Sequence, residues 1–104
     1  MAKRQPPTPS NTPAPEQPFA RYLDCLVVVD TRDNYVYLGR LAEVTLHELV
    51  LKDVDVHDLT DGASSREIYV LEARRHGIRE NRQEVAVRLD VVLSVSRLED
   101  VITY

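Results

Sequence analysis

The sequence contains little of several residue types on which many functional classes depend. It has one cysteine, Cys25, so no intrachain disulfide can form, which fits a reducing compartment. Its three glycines are too few for most phosphate-binding loops, and no nucleophile elbow or Cys-His pairing is visible. The longest apolar run, residues 25–29, is far shorter than the ~20 residues that span a bilayer. We therefore expect a cytoplasmic protein that is neither an enzyme nor a membrane protein and needs no cofactor.

Proline is absent from most of the chain, since all six prolines lie between Pro6 and Pro18. This stretch lacks side chains that could offset the entropy lost on ordering it. The sequence therefore predicts a disordered tail over residues 1–17 and a single domain over residues 18–104. The tail contributes +1 to the total charge of −4, so the domain carries −5. Such an acidic domain disfavours binding to duplex DNA, which depends on clustered cations.

Short segments rich in β-branched residues make up most of the domain. Apolar spacing behind Pro18 favours a short helix over residues 16–23. The last two strands are separated only by Leu89 and Asp90, which predicts a tight hairpin. Gly39 lies in the middle of the second strand, where it permits a sharp bend or the close approach of another backbone. The predicted strands cover residues 25–31, 35–44, 49–56, 84–88 and 91–96.

A longer segment, residues 57–82, separates the third and fourth strands. Ser64 and Glu67 fit a capping box, and Gly77 fits the left-handed residue at which helices commonly stop. These signals predict a helix over residues 65–76. The β-branched and aromatic content of residues 67–73 leaves a strand open as an alternative. Connections this long are often functional.

The pattern predicts a mainly β fold, and its order of elements resembles the Sm/LSm family. Residues 30–41 resemble the family's first motif, in which a turn with an acidic residue precedes an aliphatic strand, a glycine and a leucine, and residues 49–53 continue it. Residues 85–94 resemble the second motif. The resemblance implies a strongly bent five-stranded antiparallel sheet, a small open barrel of the SH3-like type, with a short N-terminal helix and an inserted helix. It also implies a cyclic homo-oligomer, a hexamer or heptamer, that binds single-stranded RNA.

The departures from the family pattern fall where its RNA-binding members hold a base. Instead of the family's Asp and Asn flanking a stacking residue, the turn after the second strand contains Thr45, His47 and Glu48. Thr45 can hydrogen-bond a base edge, His47 can stack on a base, and Arg88 can contact a phosphate or a stacked base. Glu48 opposes binding, because a ring would repeat its charge around the pore. The alternative interpretations are an exposed turn histidine and an Arg88 paired with Asp90 or Glu84.

Two further groups of residues have competing interpretations. Arginines concentrated after residue 73 predict either a lateral patch for RNA or an acidic partner, or simply a solvated surface. The alternating acidic residues near the end of the third strand suggest a metal site only weakly, since acidic segments are usually just solvated, and we predict none. The patch consists of Arg74, Arg75, Arg79 and Arg82.

Two functional hypotheses remain open. The first is a ring-forming Sm-like protein in RNA binding or RNA metabolism, with a modified pocket. The second is a small-barrel adaptor that assembles with itself or with proteins and binds no RNA. The turn at Thr45 and Glu48 favours the adaptor, whereas the arginine cluster favours RNA or another anion.

Overall fold

The structure is a computed structural model that describes residues 19–61 and 65–103, so the predicted tail over residues 1–17 lies outside the described residues. Five strands and one α-helix are present among them. They are β1 (Leu26–Thr31), β2 (Tyr35–Val44), β3 (Glu48–Asp58), α1 (Arg66–His76), β4 (Arg82–Arg88) and β5 (Val92–Arg97). Within the described residues, no helix is both long and apolar enough to cross a membrane.

The strands form one antiparallel sheet in the order β4-β3-β2-β1-β5. The predicted strands are confirmed, but the predicted hairpin between the last two is wrong. β4 pairs with β3, whereas β5 pairs with β1 at the other end of the sheet. A two-residue hairpin favours residues with positive φ. Leu89 and Asp90 have none and instead belong to a 3₁₀ turn, Leu89–Val91, that carries the chain across.

The bend in the sheet depends on Gly39. A Cβ atom there would lie 3.1 Å from the carbonyl oxygen of Lys52 and 3.2 Å from Cγ2 of Val54. The pairing of β2 with β3 shifts register beside Gly39, and Asp53 opposite has a φ of 55°. The absence of a side chain therefore permits β3 to cross closely over β2, as predicted.

The sheet buries apolar side chains on both of its faces. Val27 and Val29 of β1 lie in one core with residues from all the other strands, whereas Val28 points into a second core. Val70 and Ala73 of α1 cover this second core together with Leu98. This two-sided burial explains why the first strand is an uninterrupted apolar run rather than an alternating one.

The inserted helix forms where the sequence predicts it, and the alternative strand is wrong. Its N-cap is Ser65, whose hydroxyl accepts from the N–H of Ile68 at 3.2 Å, whereas the predicted capping box starts at Ser64, which lies outside the described residues. Gly77 ends the helix with a φ of 92°, and its N–H donates to the Ala73 carbonyl at 2.8 Å. The connection from β3 to β4 covers residues 59–81.

The predicted N-terminal helix, over residues 16–23, is described only from Phe19 onwards. Among the described residues, a single 3₁₀ turn, Ala20–Tyr22, precedes β1. Phe19 adopts a φ of 70° at its start, and with Tyr22 it packs against the first core.

Candidate nucleic-acid interface

The turn between β2 and β3 is held by the Thr45 hydroxyl. Its oxygen accepts from the N–H groups of His47 at 3.2 Å and Glu48 at 3.0 Å, and the Thr45 N–H donates to the Glu48 carbonyl at 2.9 Å. Such side-chain bonds are typical of Ser and Thr in turns. Thr45 therefore shapes the turn, and the exposed side chains of Leu46 and His47 are those it presents.

Arg88 lies beside this turn, although many residues separate them in the chain. Glu48 is the partner of Arg88 in the β3–β4 register, and the N–H of Leu89 donates to the His47 carbonyl at 2.8 Å. The structure thus brings together the four residues predicted for RNA binding. They lie beside an open cleft of about 440 Å³ lined by Leu46, His47, Arg88, Leu89 and Asp90.

Acidic groups limit the positive charge of this cleft, which we name the turn cleft. The Arg88 guanidinium donates to the Asp90 carboxylate at 2.7 Å, so the alternative interpretation of Arg88 describes its contact in the structure. Both side chains are largely exposed, at 75% and 60%, and exposed pairs contribute little free energy. Arg88 can therefore exchange its contact with Asp90 for one with a ligand, and the exchange costs little free energy.

Two apolar members of the turn cleft escaped prediction. Leu46 is 81% exposed, and Leu89 is half-buried against the first core. An apolar residue inside an otherwise polar turn is a sequence signal that would have identified Leu46. Leu89 gave no such signal, because its place depends on the 3₁₀ turn that replaces the predicted hairpin.

Two arginines of the predicted patch, Arg74 and Arg79, line neighbouring clefts that share Ala73 and Gly77. Arg74 and Arg75 occupy the last turn of α1, where positive charge complements the helix C-terminus. Arg74 lines a cleft with Arg97, whereas Arg79 lines a different cleft between α1 and β3. Arg82 donates to the carbonyl of Asn81 at 2.9 Å.

The acidic residues at the end of β3 are engaged in other contacts. The Asp53 carboxylate lies 3.8 Å from the Arg40 guanidinium, and the Asp55 carboxylate accepts from the Asn81 amide at 3.1 Å. The His57 ring stacks on Tyr69. Among residues 19–61 and 65–103, no group of His, Cys, Asp and Glu side chains is arranged to hold a metal ion.

Comparison with known proteins identifies the fold. No family model matches the chain, and no curated protein matches it either. A solved structure of the Sm protein of Pyrococcus abyssii, in complex with a uridine heptamer, matches with a TM-score of 0.53 and 23% identity over 79% of this chain and 99% of that chain. The described residues therefore have the Sm-like fold: a small, bent five-stranded antiparallel sheet, here with a helix inserted between β3 and β4.

Proposed function

We propose that this protein forms a ring and binds single-stranded RNA at the turn cleft. The observation that carries the proposal is the juxtaposition of His47 and Arg88 at one end of the sheet. An exposed imidazole can stack on a base, and a guanidinium can contact a base or a phosphate. The matched Sm protein was solved with a uridine heptamer, which makes U-rich RNA the first ligand to test.

Ring formation is supported by the two edges of the sheet. Among the described strands, β4 pairs only with β3 and β5 only with β1, so each presents a row of unpaired backbone groups. Natural proteins rarely leave such edges uncovered, because they template aggregation. A cyclic assembly, hexameric or heptameric by resemblance to the Sm family, pairs every β4 with a neighbouring β5 and leaves no free edge.

Proline on the β5 edge tests this pairing. Leu93 is 67% exposed on that strand, and proline removes a backbone donor while being tolerated best on edge strands. We expect Leu93→Pro to convert the ring to monomers in analytical ultracentrifugation. Leu93→Ala, which keeps the N–H group, serves as the matched control and should remain assembled.

The RNA proposal is tested by fluorescence anisotropy with a labelled U-rich oligonucleotide at one stated salt concentration. Loss of a stacked base contact costs ~1–3 kcal/mol, so we expect His47→Ala to weaken binding measurably. We expect Arg88→Ala to weaken it as well. Glu48→Asn should tighten binding, because it removes a repeated negative charge and restores an amide donor.

Arg82→Ala is the matched control, since it removes the same charge at the opposite end of β4. It should leave affinity for U-rich RNA unchanged. Absence of binding at low salt by both the wild type and Glu48→Asn would refute the RNA proposal. Binding lost only when Arg74, Arg75 and Arg79 are neutralised would move the site to the inserted segment.

The second candidate function is a ring-forming adaptor that binds no RNA. Asp90 and Glu48 next to Arg88 favour it, as does the exposed Leu46, which suits a protein contact better than a phosphate backbone. An assembled ring that shows no affinity for RNA would support this adaptor and exclude the first proposal.

A further inference from the structure

A second and larger cleft lies at the opposite end of β3 from the turn cleft. It has a volume of about 640 Å³ between the C-terminal half of α1 and the last residues of β3. Ligand pockets in proteins usually enclose about 300–1,000 Å³. Its walls come from β3 and from the inserted segment, so it is separate from the residues that the RNA proposal uses. We name it the insertion cleft.

The insertion cleft contains a stacked pair of rings. His57 lies over Tyr69 with ring centroids 3.8 Å apart and an interplanar angle of 14°. Both rings line the cleft, and Tyr69 also packs against the second core. Planar ligands stack on such surfaces, and nucleobases do so whatever their identity.

The Tyr69 hydroxyl adds a polar group to this platform. Its oxygen is buried, and the Asp55 carboxylate is a polar group close to it. Burial, and then the nearby Asp55 carboxylate, raise the Tyr69 pKa far above its ordinary value. The hydroxyl therefore remains protonated and neutral at physiological pH.

Carboxylates set the specificity of the insertion cleft. Asp55 is oriented by the Asn81 amide, while Glu72 is more than half exposed and lies 3.6 Å from the His76 ring. Ionised carboxylates only accept hydrogen bonds, so they complement N–H groups and repel carbonyl oxygens and phosphates. Uracil offers one N–H between two carbonyls, whereas guanine offers two adjacent N–H donors to one carboxylate.

We propose that the insertion cleft binds a guanine base, which stacks on His57 and donates its N1–H and N2–H groups to Glu72. Arg79 lines the same cleft and supplies the one permanent positive charge among its lining residues, against the carboxylates of Asp55, Asp58 and Glu72. This site goes beyond the proposed function, because it requires neither the turn cleft nor affinity for U-rich RNA.

Inosine provides the sharpest test, since its base differs from guanine only by lacking the N2 amino group. The probe is a labelled adenosine pentanucleotide with either guanosine or inosine at its centre, measured by fluorescence anisotropy. We expect the wild type to prefer guanosine by about tenfold or more, because a site built for a donor rejects the analogue without it. Free guanosine monophosphate is then added as competitor: displacement shows that the nucleotide alone suffices, and no displacement assigns the site to guanosine within a strand.

Variants separate the stacking role proposed for His57 from the hydrogen-bonding role proposed for Glu72. Glu72→Gln should abolish the preference for guanosine over inosine, whereas Glu67→Gln, on the same helix but outside the cleft, should retain it. His57→Ala should weaken both probes, and His57→Phe should restore binding because it keeps a stacking ring. Circular dichroism of each variant verifies that α1 is intact.

Several results would overturn the proposal. They are equal affinity for the two probes, an unchanged preference in Glu72→Gln, or a cleft that binds acetyl-arginine amide but not guanosine. The RNA proposal fails independently, because its U-rich probe is made without guanosine and its variants lie at the other end of β3.

Discussion

Asp30 joins three elements through one carboxylate. Arg66, the first residue of α1, donates from its Nε and Nη2 atoms to the two Asp30 oxygens, and Ser94 of β5 donates to one of them at 3.0 Å. Bidentate pairs of this kind are the strong ones. The hydrogen bond with Asp30 raises the pKa of Arg66 above its ordinary value. The inserted helix is thus anchored to β1 and, through the shared carboxylate, to β5.

Arg66→Met should destabilise the protein by about 1–2 kcal/mol. It keeps most of the aliphatic stem and leaves Asp30 without its guanidinium, and hydrogen bonds to charged groups contribute about 1.5–3 kcal/mol. The expected loss of stability is smaller than this range indicates because the Arg66 side chain is 30% exposed, and solvent screens the interaction. Urea denaturation measures the effect.

Lys52→Met is the matched control for this change. Lys52 lies 4.0 Å from Glu84, and both side chains are about half exposed. Its replacement should change stability by less than about 0.5 kcal/mol. Equal losses of unfolding free energy in Arg66→Met and Lys52→Met would show that the Arg66–Asp30 pair stabilises the protein no more than an exposed pair does.

Tyr69 should make the protein sensitive to alkaline pH. Burial raises the pKa of Tyr69 in the folded state above the unfolded value of 10.0. The neutral Tyr69 hydroxyl therefore contributes its full share to folding stability below pH 10.0, and this share is lost as the pH rises towards the pKa of the folded state. Tyr69→Phe carries no such proton and should lose less stability than the wild type between pH 9 and about 11 in urea titrations. Tyr35→Phe, at an exposed tyrosine, is the control. Parallel losses in wild type and Tyr69→Phe would contradict the account.

At the scale of elements, strands were more predictable than their connections. β2 has the predicted bounds, because β-branched and aromatic residues between two turn signals identify a strand locally. The pairing of β5 with β1 depends on contacts between distant parts of the chain, which no local pattern encodes. The hairpin was therefore mispredicted, although both of its strands were found.

In the candidate site, too, local patterns were predictable and contacts between distant parts of the chain were not. His47 and Arg88 were identifiable by resemblance to family motifs, and the β3–β4 register brings them together. The stack of His57 on Tyr69 could not be predicted, since it requires α1 to fold back over the end of β3. Only the structure shows that the inserted segment makes a cleft of its own.

The N-cap of α1 is an element-scale prediction. Ser65 satisfies the N–H of Ile68, and loss of such a cap typically costs ~1 kcal/mol. We expect Ser65→Ala to lower the melting temperature by about 4–8 °C, which is the shift of that free energy in a domain of this size. Ser64→Ala should leave the melting temperature unchanged. A larger decrease in melting temperature for Ser64→Ala than for Ser65→Ala would show that Ser64 is the N-cap, as the sequence alone predicts.

For the whole molecule, the arrangement of the cores explains how one small sheet can support two clefts. The first core closes the barrel, and the second lies beneath α1. The turn cleft and the insertion cleft lie at opposite ends of β3, while β4 and β5 remain as edges. Assembly through these edges would therefore repeat both clefts around a ring.

Native mass spectrometry of the purified protein, with and without short U-rich RNA, tests the central claim most directly because it measures subunit number and ligand together. We expect a closed hexamer or heptamer that gains the mass of an oligonucleotide, and an A-rich oligonucleotide of equal length serves as the comparison. A monomer at tens of micromolar, or a ring that takes up neither RNA, would contradict it.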